Sequence, residues 1–168
     1  KFGLWVDLNL EKYTDKKTTK FAEIGCGLGR ISHWVAPHVK QYGGIDISPT
    51  MISGAIEYNK QFGFDNCNFF ESTSLVETFG NESLDMVLTE LVFIHISRDE
   101  QIEYIKDMST ALKTGGLAAL QIPNIKHYSN GFEETEIIQI LSDAGFALKT
   151  GTPSKDDVVY WFLCEKVA

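Results

Sequence analysis

The sequence contains no Cys-x-x-C pair. Its three cysteines, Cys26, Cys67 and Cys164, are odd in number and widely spaced, which argues against a disulfide framework and a zinc site and fits a reducing cytoplasm. No metal ligand set is expected. No apolar run approaches the roughly 20 residues of a membrane span, and no charged-then-apolar leader opens the chain, so no membrane association is expected. The first residue is Lys1 and not Met, which leads to the expectation of further natural residues ahead of it. Positive charge is also scarce: 15 Lys and Arg stand against 23 Asp and Glu, for a net charge of -8. Binding to a phosphate backbone usually calls for a basic surface, so a nucleic-acid partner is disfavoured. The basic residues that do cluster, Lys12, Lys16, Lys17 and Lys20, are interleaved with Glu11 and Asp15 and read as a solvated face.

What is present is enough apolar material for one core: 43% of 168 residues, too few for two ordinary domains. A single domain over residues 1–168 is expected, with residues 1–19 as an N-terminal helix or lead-in and residues 20–168 as the core. From residue 20 onward, short apolar runs alternate with segments of helical period, the pattern of strand-helix-strand units around a parallel sheet. Strands are predicted at residues 20–24, 41–46, 67–71, 83–89 and 116–123. Helical faces are predicted from Ile31, Trp34, Val35 and Val39; from Met51, Ile52, Ala55 and Ile56; from Ile102, Ile105, Met108 and Leu112; and from Ile137, Ile138 and Leu141. Ser48-Pro49 and Ser97 read as helix starts, and Gly145 as a stop. The alternation breaks at the end: residues 146–150 and 158–165 read as two strands with no room for a helix between them, hence an antiparallel hairpin. The fold class is therefore α/β, a three-layer sandwich whose mostly parallel seven-stranded sheet is closed by that hairpin.

The most informative stretch is Phe21-Ala22-Glu23-Ile24-Gly25-Cys26-Gly27-Leu28-Gly29-Arg30, an apolar run with an acid, then three alternating glycines leading into a helical pattern. Glycine lets the chain turn sharply off a strand and lets a ligand approach bare backbone, beside the unpaired N–H groups of a helix start. A dinucleotide fingerprint needs a sixth-position glycine, and that position is Arg30. The acid-x-Gly-x-Gly-x-Gly spacing instead resembles motif I of the class I S-adenosylmethionine-dependent methyltransferases, small-molecule branch. The likeness runs from Phe21 to the C-terminus, with its elements in the family order.

That resemblance implies S-adenosylmethionine as cofactor and S-adenosylhomocysteine as product, with Gly25, Cys26 and Gly27 in the cradle. Glu23 would order the glycine loop and help hold the cofactor's ammonium end, or serve as a purely structural acid. Tyr42-Gly43-Gly44-Ile45-Asp46-Ile47-Ser48-Pro49 is similar to the family's second-strand motif; Asp46 would accept the ribose hydroxyls, and Ile47 and Met51 would face adenine. The alternative is that Asp46 caps a helix and Met51 is core. The third strand lacks the aspartate that many members use for the adenine amino group; Ser72, Thr73 or Ser74 would supply a hydroxyl or a backbone acceptor instead, with Ser72 and Thr73 as the candidates. Thr89, at the fourth strand's exit, would line the methionine moiety. His95 matches a histidine frequent in the branch and is a candidate general base, or else a packed residue; Glu90 is its rival. Lys126, His127 and Tyr128 follow the fifth strand on the usual substrate side, as acceptor-binding residues or as a solvent loop.

The Asn/Asp-Pro-Pro-Tyr/Phe signature of base-directed amino-methyltransferases is missing, so methyl transfer to an oxygen or nitrogen of a small molecule is expected. A noncatalytic methyltransferase-like subunit, a protein or tRNA methyltransferase and a nicotinamide oxidoreductase are the alternatives. Nothing in the sequence sets the oligomeric state.

Overall fold

The computed structural model describes Trp5, residues 8–153 and residues 158–167. Seven strands, β1 (Lys20–Ile24), β2 (Gln41–Asp46), β3 (Cys67–Glu71), β4 (Leu84–Thr89), β5 (Leu112–Pro123), β6 (Phe146–Pro153) and β7 (Val159–Lys166), form one sheet in the order β3-β2-β1-β4-β5-β7-β6. β1 to β5 are parallel, and β7 lies antiparallel to both β5 and β6. The expected α/β sheet with its closing hairpin is thus observed. Chain order reverses on either side of β1, which pairs with β2 on one flank and β4 on the other. Ile24 is in register with both Ile45 and Thr89. Three strand ends therefore finish level at a topological switch point, where crossovers diverge to opposite faces and leave a crevice.

The helices are α1 (Ser32–Val35), α2 (Pro49–Lys60), α3 (Leu75–Phe79), α4 (Arg98–Ala111) and α5 (Glu134–Asp143). Side chains of alternate strand residues feed two separate cores, as the period of two requires. Ala22, Ile24 and Val87 join Ile105 and Met108 of α4 and Ile137 and Leu141 of α5; Phe21, Met86 and Leu88 join Val35 and Val39 on the other face.

Several boundaries differ from expectation. The face of Ile31, Trp34, Val35 and Val39 yields one α-helical turn followed by a 3₁₀ turn, Ala36–His38, because Pro37 removes an N–H and its ring clashes with a continuing helix. Trp34, Met51, Ile56 and Ile138 are exposed, so the buried stripe is narrower than the apolar one. β5 starts at Leu112, four residues early, because Leu112 pairs with Leu84 before a register shift restores Met86 opposite Leu117. β6 continues to Pro153, and the expected connection falls at residues 154–157, outside the described residues. In residues 1–19, Leu10–Tyr13 form a 3₁₀ turn, and Trp5 meets Phe21 edge-on at 5.8 Å. Phe21 stands near the start of β1, at the end opposite the glycine loop; residues 1–4, 6 and 7 lie outside the described residues.

Helix α3 has no signal in the pattern, since five residues are too few to show a period. It is nucleated from elsewhere: Asp107 on α4 accepts Ser74 Oγ at 2.9 Å and the N–H groups of Leu75 at 2.6 Å and Val76 at 3.4 Å. Both predicted caps are present, with Ser48 Oγ accepting the Met51 N–H and Ser97 forming a capping box with Glu100. Ser74 Oγ still caps the Glu77 N–H, but replacing Asp107 by Ala leaves the Leu75 and Val76 N–H groups without their acceptor and is expected to cost about 1–3 kcal/mol, read from urea denaturation.

Candidate functional site

The glycine loop leaves β1 at the switch point. Gly25, Gly27 and Gly29 have φ of 67°, 50° and 68°, the left-handed region that other residues enter at a cost. A Cβ on Gly25 would lie 2.2 Å from Val92 Cγ2, whereas above Gly27 there is open space within 4 Å. The first glycine is therefore demanded by close approach of the segment after β4, and the second leaves bare backbone facing outward. Asp46, at the end of β2, holds this loop: Oδ2 accepts the Gly27 N–H and Oδ1 the Ser48 N–H, each at 2.9 Å. A carboxylate offers about four acceptor sites, so two stay open for further donors such as the hydroxyls of a diol.

The cleft beside Asp46 encloses about 260 Å³. Among the predicted residues it brings together Gly25, Asp46, Ile47, Ser72 and His95, from β1, β2, β3 and the 3₁₀ turn Phe93–His95. His95 is exposed at its mouth and so is not the packed histidine of the alternative reading. Ile47 is 69% exposed, a bare apolar side chain beside the carboxylate.

The other candidates lie elsewhere. Cys26 is buried, its N–H given to the Ile45 carbonyl and its Sγ packed where a Cβ of Gly44 would stand, and burial pushes its thiol far above the ordinary range. Met51 sits on the exposed first turn of α2, and Thr73 lines a neighbouring acidic cleft with Asp99, Glu100 and Glu103. Thr89 is fully buried, its Oγ1 without a hydrogen-bond partner among the described residues. Lys126, His127 and Tyr128 follow β5 in a turn closed by Asn124, whose carbonyl accepts the His127 and Tyr128 N–H groups; they do not line the cleft.

Besides Ile24 and Ile45 of the predicted strands, which are not among the expected site residues, the cleft is lined by Leu91, Val92, Ile96 and Tyr104, outside any predicted strand. Leu91 has φ 63°, in the left-handed region, and is 58% exposed. Its N–H is caught by Gln121 Oε1 of β5 at 2.7 Å. The segment behind it is tied down by Asn130, whose Nδ2 donates to the carbonyls of Phe93, Ile94 and Ile96. Gln101 adds donations to the carbonyls of Ile96 and Asn130. The apolar string 91–96 carries no period, and its tethers come from residues 5 to 37 positions away, so of these four only Tyr104, on a helix of known phase, left a readable trace.

Glu23 lies beneath the loop, almost fully buried, and accepts the Tyr42 O–H. Burial raises its pKa to about 8 against the opposing effect of the Tyr42 hydrogen bond, with the nearby Glu90 and Asp46 charges raising it further. An acid ordinarily near 4.5 thus keeps its proton in the folded state and loses it on unfolding across pH 4.5–8. Its contribution to stability is greatest below that window and declines as pH rises through it. Glu23→Gln keeps an acceptor for Tyr42 but cannot ionise. The variant is expected to gain on the wild type by roughly 1.4 kcal/mol per pH unit through the window, in urea denaturation at pH 5, 6.5 and 8.

Comparison with known proteins agrees with this geometry. A family model described as a methyltransferase domain matches residues 21–116, more than half of the chain. The tRNA N(3)-methylcytidine methyltransferase trm141 of Schizosaccharomyces pombe is 30% identical over 121 residues, 67% of this chain and 48% of that protein, so the chain spans about half of this curated relative. A S-adenosylmethionine-dependent methyltransferase from Clostridium acetobutylicum superposes with a TM-score of 0.82 at 15% identity, covering 100% of this chain and 93% of the other. Magnesium protoporphyrin IX methyltransferase from Synechocystis, solved with S-adenosylmethionine bound, does so at 0.75 with 21% identity, covering 97% and 74%. The chain belongs to the methyltransferase-domain family and has the fold of the class I S-adenosylmethionine-dependent enzymes.

Proposed function

We propose that the domain binds S-adenosylmethionine in the cleft beside Asp46 and transfers its methyl group to an oxygen or nitrogen of a small neutral or cationic acceptor. The observation that carries the acceptor class is the lining itself: among the described lining residues Asp46 is the one carboxylate, beside His95, and no Lys or Arg is present. Glu90 follows β4 directly and its charge reaches the buried Glu23, so the field around the cleft is acidic. Such a field favours cations and hydroxyl or amine donors over phosphates.

The bound cofactor supplies a sulfonium methyl, which a nucleophile takes by in-line displacement to leave S-adenosylhomocysteine. The chain's work is then alignment and proton management. The open carboxylate sites of Asp46 bind the ribose hydroxyls, Gly25 and Gly27 keep backbone bare beside them, and Ile47 covers one face of the purine. His95, exposed at the mouth, takes the acceptor's proton, and Glu90 orients a donor group of the acceptor.

The S. pombe relative favours a second reading, a tRNA acceptor. Radiolabelled S-adenosylmethionine offered with small hydroxylated and amine compounds, and separately with bulk tRNA, separates the two. Label in the small-molecule pool supports the proposal, label in tRNA replaces it, and cofactor binding without any transfer identifies a noncatalytic subunit.

Asp46→Ala should weaken S-adenosylhomocysteine binding by on the order of 1.5–3 kcal/mol through loss of charge-assisted hydrogen bonds, measured by titration calorimetry. If His95 is the base, His95→Ala lowers turnover by roughly two to four decades while cofactor affinity is retained; near-normal turnover removes it from that role.

A further inference from the structure

A purine nucleoside brings three kinds of surface to the cleft: a diol, two flat apolar faces and a polar edge. The first two are met by Asp46 and by Ile47, Val92 and Ile96. The edge calls for an acceptor, and a side chain can serve as one only if it is not already committed within the protein, since a desolvated amino group without a partner is costly.

Ser72, the polar residue that β3 offers, is spent. Its Oγ donates to the Ser74 carbonyl at 3.0 Å and accepts from the Ser74 N–H at 3.1 Å and Thr78 Oγ1 at 2.8 Å. Its N–H goes to the Asp46 carbonyl. These bonds build the turn into α3, so Ser72 cannot turn to a ligand without dismantling that turn. Thr73 lies outside the cleft.

Tyr104 is different. It stands on α4 between this cleft and the acidic one that Thr73 lines, its ring tilted against the fully buried Phe93 at a centroid distance of 6.2 Å, and no described residue hydrogen-bonds its hydroxyl. Resting on the reading that S-adenosylmethionine occupies this cleft, we propose that the Tyr104 hydroxyl, on α4, accepts a hydrogen bond from the 6-amino group of the bound adenine, in place of a third-strand acid. The surroundings favour a donor at that point: partial burial, then the charges of Asp107, Glu100 and Asp46, raise the hydroxyl's pKa, so it stays neutral in a negative field that attracts an amino N–H.

Tyr104→Phe removes one oxygen and keeps the ring on Phe93, so the fold should be retained, with an unchanged melting temperature. Titration calorimetry compares two ligands, S-adenosylhomocysteine and its analogue with hydrogen in place of the 6-amino group. Wild type is expected to prefer the amino compound by roughly 3- to 10-fold, and Tyr104→Phe to lose most of that preference by weakening the amino compound alone. Equal affinity of wild type for the two ligands overturns the proposal. So does an undiminished preference in the variant, whether binding is unchanged or both ligands weaken together, because Tyr104 would then shape the wall without reading the base.

Discussion

Two hydrogen bonds at the end of β2 organise the site. Asp46 gives one oxygen to the Gly27 N–H and the other to the Ser48 N–H, so one carboxylate joins the turn after β1 to the start of α2. Both bonds are charge-assisted, and both stand at the crevice where the crossovers diverge. The glycine loop alternates left-handed glycines, Gly25, Gly27 and Gly29, with Cys26 and Leu28, and Asp46 of the neighbouring strand helps hold it. The same carboxylate keeps free acceptor sites toward the cleft, which ties the loop's shape to the ligand it receives.

The opposite wall is built by strain held in place from a distance. Leu91 occupies a conformation a leucine rarely adopts, and its N–H is secured by Gln121, while Asn130 and Gln101 saturate the carbonyls that follow. Strained residues persist where surrounding bonds over-determine them. Here they press Val92 onto Gly25 and hold Leu91 out toward the mouth, so the two sides of the cleft are locked against each other.

Polarity is divided accordingly. Asp46 and the apolar Ile47 lie side by side in the cleft, whereas Glu23 is sealed beneath the loop with Tyr42, where burial raises its pKa to about 8. A charged Glu23 there would add to the acidity of Asp46 and Glu90 without solvent to screen it. Keeping it neutral lets the loop close over it.

Sheet, strand ends and glycine loop were legible because each rests on local chemistry: apolar runs of strand length, glycines at alternate positions, serine caps ahead of helical periods. The bounds of β1, β2 and β3 follow directly from it, as does the position of Asp46. The remainder needed the folded chain. Whether Ser72 is free, whether Cys26 packs or binds, and whether Tyr104 meets the cleft depend on partners such as Thr78, Gly44 and Phe93. Lys126, His127 and Tyr128 show the same limit, since the direction of the turn after β5 is set by the buried Asn124. A sequence specifies which groups leave each strand end; which of them share a cleft is decided by long-range hydrogen bonds and close packing, whose energies depend on residues far apart in the chain.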